Sequence, residues 1–309
     1  MHHHYEHSRA GKALKWSFAV TLAFVALEFW AGIRAESLAL VSDAGHNFTD
    51  ALSLILAVIA IYIQSKPPDE TKTYGYQRAG VLAAFVNALT LVVLALWIFY
   101  EAAVRLTAPP VVQTGIMLVV AIIALAVNGG VMLSLHRDKH DLNVRAAFVH
   151  MLGDALSSIG IIAGALVIHA TGWFWIDPVL SIAIGALIIW TAWDIIKECL
   201  NVLLEGLPRG ITFSSVVSAI QEIDGVIDVH DLHIWTLGTQ AHALSCHVLI
   251  DDMPPSASES ILRRINEVLC EFHIRHTTVQ FEHARCELSD ASCTVHWGPP
   301  REAGERHEH

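Results

Sequence analysis

Residues Leu38 to Ile63 read LALVSDAGHNFTDALSLILAVIAIYI. A helix needs roughly 20 mostly apolar residues to cross a bilayer, and this run is long enough. It nevertheless carries Asp43, His46 and Asp50. Ionisable groups at membrane depth are costly, so each marks a function by default. His46 and Asp50 are four residues apart, and an i, i+4 pair lies on one helical face with Cβ atoms about 6 Å apart. The run therefore predicts a spanning helix that points an imidazole and a carboxylate the same way.

Five further runs fit the same length, at about Leu14–Ile33, Ala79–Tyr100, Val111–Leu135, Val144–Ala170 and Ile176–Leu204. Together they predict six transmembrane helices. Composition agrees: 54% of the 309 residues are apolar and 16% charged, against 45–50% and about 25% in soluble domains. Disorder, a fibrous repeat and a small disulfide scaffold are excluded, and the net charge of −11 argues against a nucleic-acid partner. Arg9, Lys12, Lys15, Lys66, Lys72, Arg78, Arg137, Lys139, Arg145, Lys197 and Arg209 fall on one side of the helices and only Arg34 and Arg105 on the other. This asymmetry predicts that both termini are cytoplasmic. Trp173 and Trp175 suit an interfacial belt on the outer side. Met1–Gly11 lacks the apolar core of a signal peptide.

The predicted domains are a His-containing N-terminal tail (1–11), a six-helix membrane domain (12–206), a cytoplasmic α+β domain (207–287) and a disordered tail (288–309). Within the α+β domain, Phe213–Ile223 reads as a helix and Val226–Leu237 as a strand. A second strand is expected at Ala241–Ile250 after a turn at Gly238-Thr239-Gln240. A second helix starts near Ser256 and Ser258, either of which suits an N-cap, and Thr277–Glu282 reads as a third strand. Cys199, Cys246, Cys270, Cys286 and Cys293 lie in or near this part; in a reducing compartment they are thiols or ligands.

The run at Val144–Ala170 repeats the opening motif: His150 and Asp154 are also four apart. At 1.5 Å per residue each pair lies about 10–18 Å from its own end of the helix, near the middle of a 30 Å core. Antiparallel helices would let the pairs meet. Two nitrogens and two oxygens make a tetrahedral set that suits Zn²⁺. Two matching pairs at one depth favour ligation over a mere interhelical hydrogen bond. Asp43 is expected at the rim or as a cap, and Asn47, Asn87 and Asn128 as interhelical hydrogen-bond formers. A site filled by four protein ligands suits capture and release of the ion more than catalysis, which keeps a position open. No H-E-x-x-H motif occurs, so an intramembrane zinc protease is disfavoured, and with the closed site the chain is not read as an enzyme. Protons compete with metal for histidine near neutral pH, so exchange of metal for protons is expected. In the tail, His230 and His247 stand near facing positions on the two strands, and Glu282 comes from the third. With Cys286 and Cys293 they make a zinc-type ligand set.

These residues resemble the cation diffusion facilitators, a family of zinc and heavy-metal exporters. The matching stretches are Ser37–His46 with Asp50, Thr73–Arg78, His150 with Asp154, Asn201–Gly206 with Pro208, and His230–Trp235. The resemblance implies six helices, a metallochaperone-like, ferredoxin-like cytoplasmic domain, a homodimer in a bacterial inner membrane and metal/proton antiport. It implies a transport site at His46, Asp50, His150 and Asp154. It also implies a regulatory site at His230, His247 and Glu282, with Cys286 and Cys293 as extra ligands. Some members hold a further site between helices two and three; here Asp69 is present, but Lys72 and Tyr76 stand where histidines would be needed. Zn²⁺ is the expected cargo, with Co²⁺, Cd²⁺ or Ni²⁺ as alternatives. Two other readings are a haem-binding electron-transfer bundle with His46 and His150 as axial ligands, and a metal sensor that does not transport.

Overall fold

The computed structural model describes residues 21–135, 142–238 and 241–283. The chain divides into two compact units, Met1–Leu200 and Asn201–His309.

In the first unit, helix α1 is described over residues 21–34. Helices α2 (Leu38–Gln64), α3 (Ala79–Thr107), α4 (Thr114–Leu135), α5 (Leu142–Thr171) and α6 (Ile176–Leu203) follow. Among the described residues, α2, α3, residues Met151–Thr171 of α5, and α6 are each long and apolar enough to cross a membrane, and α4 is apolar over Thr114–Gly130. Large apolar side chains such as Val58, Ile61, Val93 and Trp190 are exposed on these helices. That pattern is stable only where the surroundings are apolar too. The core between the helices is rich in small residues, among them Ala31, Ala39, Ala95, Ala121 and Ala165. Small residues let helix backbones approach closely, which is how helices associate without a hydrophobic driving force. Gly45 is one such position: a Cβ there would lie 3.0 Å from Leu94 of α3.

Two ends differ from expectation. Helix α3 runs past Tyr100 to Thr107, and Glu101 and Arg105 pair at 2.8 Å on its last turns. Such an i, i+4 pair stabilises a helix, so the charges that suggested an end prolong it. Helix α4 begins at Thr114 and not at Val111, since Pro109 and Pro110 disfavour helix just before.

The second unit contains α7 (Phe213–Gln221), β1 (Val226–Gly238), β2 (Ala241–Ile250), α8 (Pro255–Glu271) and β3 (Ile274–Glu282). The strands order β1-β2-β3, with β1/β2 antiparallel and β2/β3 parallel. The parallel pair needs a crossover, and α8 supplies it. Val216 and Ile220 of α7 and Ile261, Ile265 and Leu269 of α8 pack on Val229, Leu232, Ile234, Leu244, Cys246 and Val248 of the sheet. The N-cap of α8 is Pro254, without a side-chain hydrogen bond. Ser256 and Ser258 lie inside the helix, because Pro is readily placed at a helix start where an N–H would be unsatisfied. Strand β3 starts at Ile274, earlier than Thr277, since Ile274 is itself core. Gly238 pairs with Ala241 as the expected hairpin requires; Thr239 and Gln240 lie outside the described residues.

The candidate metal centres

In the helical unit, α2 and α5 bring His46, Asp50 and Asp154 together, with one ligand atom of each within 4.8 Å of the others. His46 Nε2 lies 3.8 Å from Asp50 Oδ2 and 3.6 Å from Asp154 Oδ1. Two atoms bound tetrahedrally to one zinc at about 2.1 Å are about 3.4 Å apart. The three atoms are thus spaced for a shared ion with little adjustment. Asp154 is buried and Asp50 is the more open of the two acids. His150 is in α5, one turn before Asp154; its side chain lies outside the described residues.

Behind this group is a polar layer that the residue pattern alone did not reveal. Asp43 is 2% exposed, not at a rim, and accepts a hydrogen bond from Ser157 Oγ at 2.7 Å. The reason is that Leu38–Ala44, the whole first part of α2, is buried. Glu28 of α1 is fully buried and accepts from Asn47 Nδ2 at 3.0 Å. Asn47 thus forms the interhelical bond expected of it. Asn87 Oδ1 is buried without a hydrogen-bond partner among the described residues. A lone Glu in an apolar run was the only signal for Glu28.

The loop after α2 commits Asp69 elsewhere. Its Oδ1 accepts from the Thr71 hydroxyl at 2.6 Å and from the Thr71 and Lys72 amides at 2.8 Å, and its Oδ2 from Tyr76 at 3.0 Å. The Thr71 hydroxyl first, then these amides, hold its carboxyl well below the usual range. An acid whose lone pairs are used in this way is part of a turn and not a metal ligand.

In the second unit, His230, His247 and Glu282 each offer a ligand atom within 4.8 Å of the others. Glu282 Oε2 is 3.1 Å from His230 Nε2, and Oε1 is 2.8 Å from His247 Nδ1. The two rings meet edge-on with centroids 5.4 Å apart. These are hydrogen-bond distances, shorter than two ligands of one zinc would keep. The set is closed on protons and would open slightly to take a dication. The donor types fit zinc. His230 Nδ1 is buried without a hydrogen-bond partner, so the ring is held by its Nε2 side alone. Cys286 and Cys293 lie outside the described residues. Cys246, which faces the core, is unsuited to ligation: burial pushes its thiol up to about 12.

The family model for the cation efflux transmembrane domain matches residues 14–204, and that for the cation efflux protein cytoplasmic domain matches residues 208–284. The chain is 39% identical over 288 residues to a cadmium, cobalt and zinc/H(+)-K(+) antiporter of Bacillus velezensis, covering 91% of this chain and 92% of the relative. It is 39% identical over 283 residues to the metal cation efflux system protein CzcD of Cupriavidus metallidurans, covering 91% and 89%. It is 38% identical over 302 residues to the zinc transporter ZitB of Pectobacterium atrosepticum, covering 96% and 93%.

Proposed function

Since the chain belongs to the cation efflux, or cation diffusion facilitator, family, we propose that it exports Zn²⁺ through the His46, Asp50, His150 and Asp154 group in exchange for protons. It is a multi-pass membrane protein of divalent metal efflux by antiport. Zinc is the preferred cargo, with cobalt and cadmium as further substrates. The relatives' names support these three, and a site of this chemistry would also admit nickel.

The observation that carries the reading is the 3.6 Å approach of His46 Nε2 on α2 to Asp154 on α5. Two acids beside one imidazole neutralise a dication, which a haem iron with two axial histidines does not need. Exchange follows from competition. An arriving ion needs the imidazole neutral and the carboxylates ionised, so binding releases protons, and protons arriving from the other side release the ion. Access alternates between the two faces, and the chemistry needs no covalent step. The lopsided loop charges support cytoplasmic termini, which places the second unit where cytoplasmic metal could load it. There His230, His247 and Glu282 form a regulatory zinc site, with Cys286 and Cys293 as candidate additions, in a homodimer that metal tightens. The match to the cytoplasmic domain supports that assembly.

The test is zinc uptake into inverted membrane vesicles. Asp50→Ala and Asp154→Ala should each abolish uptake while the protein still inserts and melts normally. Wild-type rates in either variant would sink the site assignment.

A further inference from the structure

Strand β1 shifts register against β2 at three places, and one of them falls beside His230. His230 pairs with His247 and His233 with Ser245, so Asp231 and Leu232 stand opposite Cys246 alone. This is a β-bulge, which inserts a residue and re-aims its neighbours. The parity of the strand changes across it. Val229 and Leu232, three apart, both enter the helix-covered core, which leaves His230 and His233 on the opposite face with His247. The inserted residue is Asp231, whose φ is +49°. A non-glycine residue in the left-handed region is uncommon, and such outliers cluster at functional sites.

The conformation puts the Asp231 carboxylate between two rings. Oδ1 is 3.0 Å from His233 Nε2, and Oδ2 is 3.6 Å from His247 Nε2. The opposite nitrogen of His247, Nδ1, is the one that meets Glu282 at 2.8 Å. A carboxylate that accepts from the outer N–H of a ligating histidine fixes the tautomer and the ring orientation, and raises the basicity of the inner nitrogen.

We propose that Asp231 is a positioning residue that holds His247 so that Nδ1, and not Nε2, faces the zinc of the cytoplasmic site. This rests on the reading of His230, His247 and Glu282 as that site. A small rotation of the His247 ring would close the 3.6 Å gap to Asp231 when zinc is bound. His233, exposed on the far side of Asp231, steadies the carboxylate and takes no part in ligation.

The test uses the full-length protein in detergent, in a His46→Ala background that removes zinc binding between the helices, with Zn²⁺ as the probe. Asp231→Asn is the informative variant, because asparagine also tolerates the left-handed conformation. It should keep the melting temperature and lower the zinc affinity of the tail site about 10–100-fold. Imidazole ¹⁵N spectra of the zinc-loaded chain should show His247 bound through Nδ1 with Nε2 protonated. Unchanged affinity in Asp231→Asn, or ligation through Nε2, overturns the inference and leaves the site intact. If His247→Ala also binds zinc like its parent, the site reading itself fails, and the inference fails with it. The nitrogen assignment is read without the Asp231 variant, so poor folding of that variant would not shelter the claim.

Discussion

Asp43 and Asp50 are both aspartates on α2, yet their surroundings set them apart. Asp50 faces His46 and is partly open, while Asp43 is sealed against Ser157. The spacing of His46 and Asp50 was legible because four residues make a helical neighbour by geometry alone. The burial of Asp43 was not, because it depends on a serine 114 residues away. Asp69 shows the same principle in a loop. Its depressed folded value means its hold on the turn is complete above the ordinary carboxylate pKa of about 3.9, and is lost as pH falls through the lower folded value. Two cysteines give a direct check on burial. Cys270 is exposed, while Cys246 is buried with its thiol raised to about 12. A thiolate is the reacting form. A maleimide at pH 7.5 should therefore label Cys270 and spare Cys246 in the folded chain, as read by peptide mass mapping. Equal labelling would show that the core of the second unit is open.

At the scale of elements, the start of α2 is held from outside its own helix. Asp177, at the first turn of α6, accepts from Ser37 Oγ at 2.6 Å, Leu38 N at 2.7 Å and Ala39 N at 3.3 Å. A helix leaves its first four N–H groups without partners, and a carboxylate there also meets the positive end of the helix dipole. Arg105 of α3 binds the Glu36 carbonyl at 2.8 Å, and the Gln113 amide binds the Ala35 carbonyl at 2.8 Å. Three elements thus fix the turn from which His46 and Asp50 are measured. Asp177→Ala leaves buried donors unpaired, at a cost of about 1–3 kcal/mol. At roughly 2–4 °C per kcal/mol, this should show as a lower melting temperature in detergent. Asp177→Asn keeps an oxygen acceptor and should lose less. A wild-type melting curve for the alanine variant would mean that the clamp does not stabilise α2.

At the scale of the whole molecule, antiport makes a prediction about driving force. In inverted vesicles the cytoplasmic face is outward, so zinc should enter as protons leave. An acidic interior should therefore accelerate uptake, and an ionophore that collapses the pH gradient should bring it to the background rate. Uptake indifferent to the gradient would favour a uniporter and count against the proton-exchange mechanism, and no uptake under either condition would favour a metal sensor that does not transport.

What the amino-acid order determined by itself was everything set by local periodicity. This covers the long apolar runs, the two H-x-x-x-D faces, the alternation that marks β1 and β2, and the motifs that carry the family. These follow from fixed rises and turns per residue, which need no knowledge of neighbours. What only the tertiary structure decided was which side chains meet. The meeting of His46 with Asp154, the Glu28–Asn47 and Asp43–Ser157 contacts, the Asp177 clamp and the aim of Asp231 at His247 all join separate elements. Contacts of that kind arise from packing summed over many small surfaces. A bulge that shifts a strand by one residue, or a helix end buried by its neighbours, changes them without altering any local pattern.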